Sequence, residues 1–257
     1  MLALKYPAFA LFVPPPLVYC PNPTMIAKQG TGRSWKRMTG KAELNRCRLV
    51  LIWPQEEKRA DAASRLQAAC VGGDVASLII PQHDRSDDEF QELCEALVPV
   101  AQQAGAAVII AGDTRVAGRV KADGIHFEGK AADLSDIIER FGSKMAIGAG
   151  GAKSRDDALG LGECQPDYIF FGRFGYDNKS EPHPRNLQLG AWWAEMVSIP
   201  CIVLGGNDVS SIEAVAATGV EFAALGEAVF GEGRDPGTEV TRANALLDTS
   251  APRFEAA

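Results

Sequence analysis

Polar side chains and bare backbone recur in this chain directly after short apolar runs, and those positions are where chemistry would sit. Gln82, His83, Asp84 and Arg85 follow one run; Arg85 offers a guanidinium fork that can grip a phosphate or diphosphate through two parallel bonds. Asp113 is the carboxylate after the next run, a candidate magnesium ligand and equally a candidate helix cap. His126 and Glu128, two residues apart on an extended stretch, face the same side and are placed to share a proton, to touch a substrate, or to form a satisfied core histidine. Gly148 opens Gly-Ala-Gly-Gly-Ala-Lys, which brings backbone donors and the Lys153 ammonium. After Gly172, the long loop carries Arg173, Lys179, His183 and Arg185, a cationic lid suited to an anionic substrate. Gly205 and Gly206 end a buried run, and Gly226 with Glu227 ends the next one; backbone N–H groups there can approach a phosphate closely.

The elements that must position these groups are legible as a rhythm. Apolar runs at 49–53, 75–80, 106–110, 124–127, 145–147, 167–171, 200–204 and 222–225 have strand length. Between them lie helical stripes, such as Phe90, Leu93, Cys94, Leu97, Val98 and Ala101, or Leu134, Ile137, Ile138 and Phe141. Ser210 and Glu213 have the spacing of a capping box, and Gly219 is placed to stop that helix. Strands alternating with helices leave a closed barrel or an open doubly wound sheet. No G-x-G-x-x-G follows the first strand, and the late glycine turns suit the phosphate position of a (β/α)8 barrel, so an α/β fold of the TIM-barrel type is expected.

The chain of 257 residues, 46% hydrophobic and 23% charged, is long enough for one large core. A net charge of −7 argues against a nucleic-acid surface and favours a small-molecule partner, which the cationic and glycine-bearing loops would suit to a phosphorylated substrate; a homodimer is the candidate assembly. Six cysteines lack C-x-x-C spacing and read as free thiols of a reducing, cytoplasmic compartment. Residues 1–45 differ from the rest: Pro14-Pro15-Pro16 breaks an apolar stretch too short to span a bilayer, and a basic, glycine-bearing segment follows. They are expected to form an extra N-terminal arm, with the barrel at 46–250 and a tail at 251–257.

Ala122-Asp-Gly-Ile-His126, Asp167-Tyr-Ile-Phe-Phe-Gly172 and Ile199-Pro200 through Gly206, continued by Gly219 to Phe230, are similar in order and spacing to the thiamine phosphate synthase and thiazole tautomerase superfamily. The resemblance spans about residues 49–230. It implies a (β/α)8 barrel and, for the synthases, a transferase that joins hydroxymethylpyrimidine diphosphate to a thiazole phosphate with Mg2+. By the same resemblance, Arg85 keeps the last cation of the diphosphate motif, with Gln82 and His83 beside it, and Lys179 matches the lysine of the loop after the sixth strand. Asp113 stands one residue late for the metal carboxylate, and Asp133 two positions from the second. Gly205 and Gly206 match the thiazole-phosphate glycines, while Glu227 replaces the serine after the eighth strand, and Gly150-Gly151-Ala152 replaces the tautomerase histidine. Glu227 is expected either to face and repel a phosphate or to turn towards a cation such as Arg234. The alternative is a non-catalytic or regulatory barrel that binds a thiazole or pyrimidine phosphate.

Overall fold

The computed structural model describes residues 45–55 and 61–254; the expected arm before residue 45 lies outside them. Eight strands alternate with helices in chain order: β1 (Arg48–Ile52), α1 (Ala62–Val71), β2 (Ser77–Pro81), α2 (Asp87–Gln103), β3 (Ala107–Ala111), α3 (Thr114–Arg119), β4 (Gly124–Glu128), α4 (Ala131–Phe141), β5 (Ala146–Gly150), α5 (Arg155–Gly162), β6 (Tyr168–Phe171), α6 (Pro184–Met196), β7 (Cys201–Leu204), α7 (Ser211–Ala216), β8 (Phe222–Leu225), α8 (Glu227–Phe230) and α9 (Pro236–Ser250). All pair in parallel in the order β1 to β8, and β8 returns to β1 with Leu49 opposite Ala223 and Leu51 opposite Leu225, closing the barrel. The (β/α)8 architecture expected from the sequence is therefore the one adopted.

Alternation along each strand separates two cores. Leu49, Leu51, Leu78, Ile80, Val108, Ile110, Ile169, Phe171, Val203 and Leu225 face the helices, where Phe90, Leu97, Trp193 and Leu247 meet them. Val50, Ile52, Ile79, Ile109, Tyr168, Phe170, Ile202 and Leu204 fill the barrel itself. The five cysteines of the described residues are free thiols. Of the residues after α9, Arg253 bridges to Arg46, and the Phe254 N–H donates to the Asn45 carbonyl at 2.7 Å.

One device recurs at the lower rim. The acidic residue before an even-numbered strand reaches back to an N–H of the strand before it. Asp123 accepts from Val108 N–H (2.8 Å), Asp167 from Ile147 N–H (2.7 Å) and Glu221 from Cys201 N–H (3.0 Å). Asp74, preceding β2, instead clasps the Arg48 guanidinium with both oxygens at 2.8 Å. Glu221 is also a closing element, since its carbonyl accepts the Arg48 N–H while its carboxylate holds β7. The start of α7 departs from the expected capping box: Ser210 makes no side-chain cap, Asp208 accepts from Ser210, and Ser211 turns its hydroxyl elsewhere.

Burial pushes the Glu221 carboxyl above the usual carboxylate range. Its contribution to stability is therefore complete below the ordinary carboxyl range and declines as pH rises through the raised folded value. Glu221→Ala is expected to cost about 1–3 kcal/mol in urea unfolding, because a buried N–H loses its acceptor. Glu221→Gln is expected to restore most of that and to flatten the pH dependence.

Candidate functional site

The upper rim is dominated by one segment, the loop 172–183 between β6 and α6. Phe174 turns down into the mouth and stacks on Phe170, ring centroids 5.0 Å apart and planes 19° from parallel. Asp177 is 7% exposed, and its Oδ2 accepts the Glu227 N–H at 2.8 Å. Further on, the Lys179 carbonyl accepts the Asn207 N–H at 2.7 Å. The loop lies so close to β7 that a side chain at Gly206 would run into backbone, with the Lys179 oxygen 2.6 Å from a Cβ position and Ser180 nearer still. Close approach, more than phosphate access, demands this glycine. The Gly205 N–H is held by the Ala224 carbonyl at 2.8 Å and the Gly206 N–H by Ser211 Oγ at 2.9 Å.

Two clefts open at the mouth, and Phe174 lines the second. The first, about 110 Å³, is bounded by Trp53, Gln55, His83, Asp177, Gly226 and Glu227. The second, about 250 Å³, is lined by Ala111, Gly112, His126, Phe127, Glu128 and Phe174. His126 is buried, with Nδ1 3.0 Å from the Tyr168 hydroxyl; its Nε2 is buried without a hydrogen-bond partner and lies 3.9 Å from Glu128 Oε1. Burial drives the Tyr168 hydroxyl far above its ordinary pKa, so it stays a neutral phenol. Space for this pair comes from β5. Its inward positions are Ala146, Gly148 and Gly150, and a Cβ on Gly148 would sit inside the Tyr168 ring. Gly148 therefore lies beneath the tyrosine.

The other residues singled out in the sequence are mostly engaged within the protein. Arg85 donates to the carbonyls of Gln55 (2.6 Å), Pro54 (3.1 Å) and Pro81 (3.4 Å), tying down the segment after β1. Gln82 joins two neighbouring loops, donating to Asp87 at 2.9 Å and accepting the Asp113 N–H at 3.1 Å. His83 has a positive φ of 50°, and burial, then the Arg85 charge, lowers its pKa and keeps the imidazole neutral. Gly172 is wedged against Leu204 and Phe170. The Lys179 side chain is exposed. Glu227 lies over Gly231, where a Cβ would meet its Oε2 at 3.3 Å, while Arg234 donates to the Asn207 carbonyl at 2.7 Å and reaches Glu239 at 3.5 Å.

Asp113 caps α3, accepting the Arg115 N–H at 2.8 Å, and its two oxygens take the Arg115 guanidinium at 2.6–3.2 Å. Those bonds hold its carboxyl below the usual range. Among the described residues, no three His, Cys, Asp or Glu side chains gather to hold a metal ion. The described residues do not assemble a magnesium-binding set.

Asp177, Phe174, Tyr168 and Ser211 were not singled out in the sequence. Tyr168 looked like one more apolar strand residue, and Asp177 stood in a loop whose cations drew attention. Tyr168→Phe is expected to strip the one partner from the His126 ring and to cost about 1–3 kcal/mol. Urea unfolding measures the loss, and imidazole 15N shifts show the tautomer no longer fixed.

Residues 49–229 match the family described as thiamine monophosphate synthase. Among relatives, a thiamine-phosphate synthase of Rhodospirillum centenum is 28% identical over 202 residues, covering 78% of this chain and 98% of its own. One of Hyphomonas neptunium is 29% identical over 212 residues, covering 80% and 96%. In structure, a thiamine phosphate pyrophosphorylase from Pyrococcus furiosus aligns with a TM-score of 0.67 at 20% identity, over 81% of this chain and 98% of that one, a likeness of fold. With a family match over most of the barrel, the chain belongs to the thiamine monophosphate synthase family.

Proposed function

We propose that the protein is a synthase-type transferase that joins a hydroxymethylpyrimidine diphosphate to a thiazole phosphate. The observation that carries this reading is the pair of clefts at the barrel mouth, the second of them walled by Phe174. An alkyl transfer between two heterocycles needs two adjoining subsites, one flat and aromatic and one with donors for an anion. The second cleft supplies Phe174 as a wall, with the buried imidazole of His126 and the exposed carboxylate of Glu128 among its lining. The β7–β8 end supplies backbone N–H groups at Asn207 and Glu227, the place where barrels of this kind hold phosphate.

No protein nucleophile is required. The bond between the pyrimidine methylene carbon and the diphosphate oxygen breaks, with its electron pair leaving on the diphosphate. The lone pair of the thiazole ring nitrogen then forms the new carbon–nitrogen bond. The protein's part is electrostatic: Lys179 meets the departing diphosphate from the loop, and Arg85 fixes the Pro54–Gln55 turn beside it while adding positive potential. Glu128, exposed at the edge of the aromatic cleft, opposes the positive charge that develops on the pyrimidine. Magnesium would enter as a counter-ion of the diphosphate.

One observation favours a second reading, a barrel that binds these phosphates without turning them over: Asp113 is fully engaged by Arg115. A turnover assay with both substrates, with and without Mg2+, separates the two. Slow product formation is expected, reduced roughly a hundredfold by Lys179→Ala and by Arg85→Ala. Binding of both compounds with no product would establish the second reading, and turnover unchanged in both variants would remove the assigned roles.

A further inference from the structure

The loop 172–183 does more than cover the mouth, because it already occupies the donors on which the phosphate reading depends. The Glu227 N–H is held by the Asp177 carboxylate and the Asn207 N–H by the Lys179 carbonyl, two bonds from positions two residues apart on one loop. Asp177 is itself an anion, and it is nearly sealed from water. Resting on the reading of the β7–β8 end as an anion subsite, we propose that this loop is an internal latch. Asp177 holds the place of the ligand's phosphate, and binding proceeds by exchange of one anion for the other.

The way the loop is attached supports exchange. Within 175–181, Asp177 is the one buried residue; Gly175, Tyr176, Asn178, Lys179, Ser180 and Glu181 are exposed. Lifting this stretch therefore uncovers almost no apolar surface, and its closed state rests on a few polar bonds. Gly175, at φ 74°, stands between the Phe174 anchor and Asp177 and gives the backbone a pivot. The far end is fixed where His183 caps α6, its Nδ1 accepting the Arg185 N–H at 3.2 Å.

Charge favours the same exchange. Asp177 and Glu227 are the carboxylates bordering the first cleft, His83 is its neutral imidazole, and neither Lys nor Arg lines it. A phosphate dianion placed beside Asp177 is repelled, whereas one that replaces it inherits the Glu227 N–H and, as the loop lifts, the Asn207 N–H freed by the Lys179 carbonyl. A ligand that binds only the open form has its affinity reduced by the open fraction, and that reduction is what the latch imposes.

The test uses the full chain as wild type, Asp177→Ala and Asp177→Asn, each checked for an unchanged melting profile. Amide hydrogen exchange reads the loop, and calorimetric titration with thiazole phosphate, unphosphorylated thiazole and inorganic diphosphate reads the subsite. Without ligand, the alanine variant is expected to exchange roughly tenfold faster at 175–181 and at the Glu227 N–H, with asparagine between. Thiazole phosphate is expected to bind the alanine variant roughly tenfold more tightly than wild type, the unphosphorylated thiazole equally to both, and to speed exchange at 175–181 in wild type. A loop that does not loosen in the alanine variant, or thiazole phosphate that binds it no better, overturns the latch alone. If the loop loosens yet no phosphate compound binds any of the three proteins, the anion subsite is refuted, and the latch with it.

Discussion

Closing a ring of four- and five-residue parallel strands leaves an interior that must be filled from within, and the character of the mouth follows from how it is filled. β4 and β5 bring mostly small groups inward, with Gly124 and His126 on one and Ala146, Gly148 and Gly150 on the other. The volume they forgo is taken by β6, whose Tyr168 and Phe170 lean across the barrel, and by Phe174 from the loop above. His126 lies against all three, 5.7 Å from the Tyr168 ring, 5.5 Å from Phe170 and 5.2 Å from Phe174. Packing thus decides that the imidazole is buried, that Nδ1 is spoken for by Tyr168, and that Nε2 lies against Gly150 of β5 without a hydrogen-bond partner among the described residues.

That dependence explains what the sequence could and could not disclose. Strand positions were legible because alternation and burial are local properties: each run from Arg48–Ile52 to Phe222–Leu225 carries its own pattern. The rim was legible too, since any residue just beyond a strand's carboxyl end must lie at the mouth. Partnerships there were not. Arg85 finds its carbonyls at Pro54 and Gln55, some thirty residues away, and Asp177 finds its N–H at Glu227, fifty residues on. Such bonds are set by how loops from different strands meet in space, and no spacing along the chain encodes them. The Ser210 capping box fails for a related reason: Ser211 Oγ is needed at the buried Gly206 N–H, which fixes the turn differently.

Glu227 shows how tertiary context settles an ambiguity that residue type leaves open. A carboxylate after β8 either opposes a phosphate or turns aside, and here its Oε2 lies over Gly231. Arg234 donates to the Asn207 carbonyl at 2.7 Å and steadies the turn after β7. Asp177 brings a second carboxylate to the β8 turn, from a different loop.

The charges of the rim are consequently spent on the protein's own groups. Arg85 serves carbonyls, Arg115 serves Asp113, Arg173 lies over the Tyr176 ring at 3.8 Å, and Asp177 serves a backbone N–H. Every such bond is one that a charged ligand at the rim must replace or work around. The cost falls unevenly. Arg85 is half-buried among three carbonyls and would leave them unsatisfied by moving, whereas Lys179 is exposed and moves at little cost. On the proposed reading, a ligand's charge would be met first by the loop between β6 and α6, with the segment after β1 staying as Arg85 has fixed it. The fold of the family is kept in this chain by its strands and inner packing, while the stretch 175–181 is held by few polar bonds.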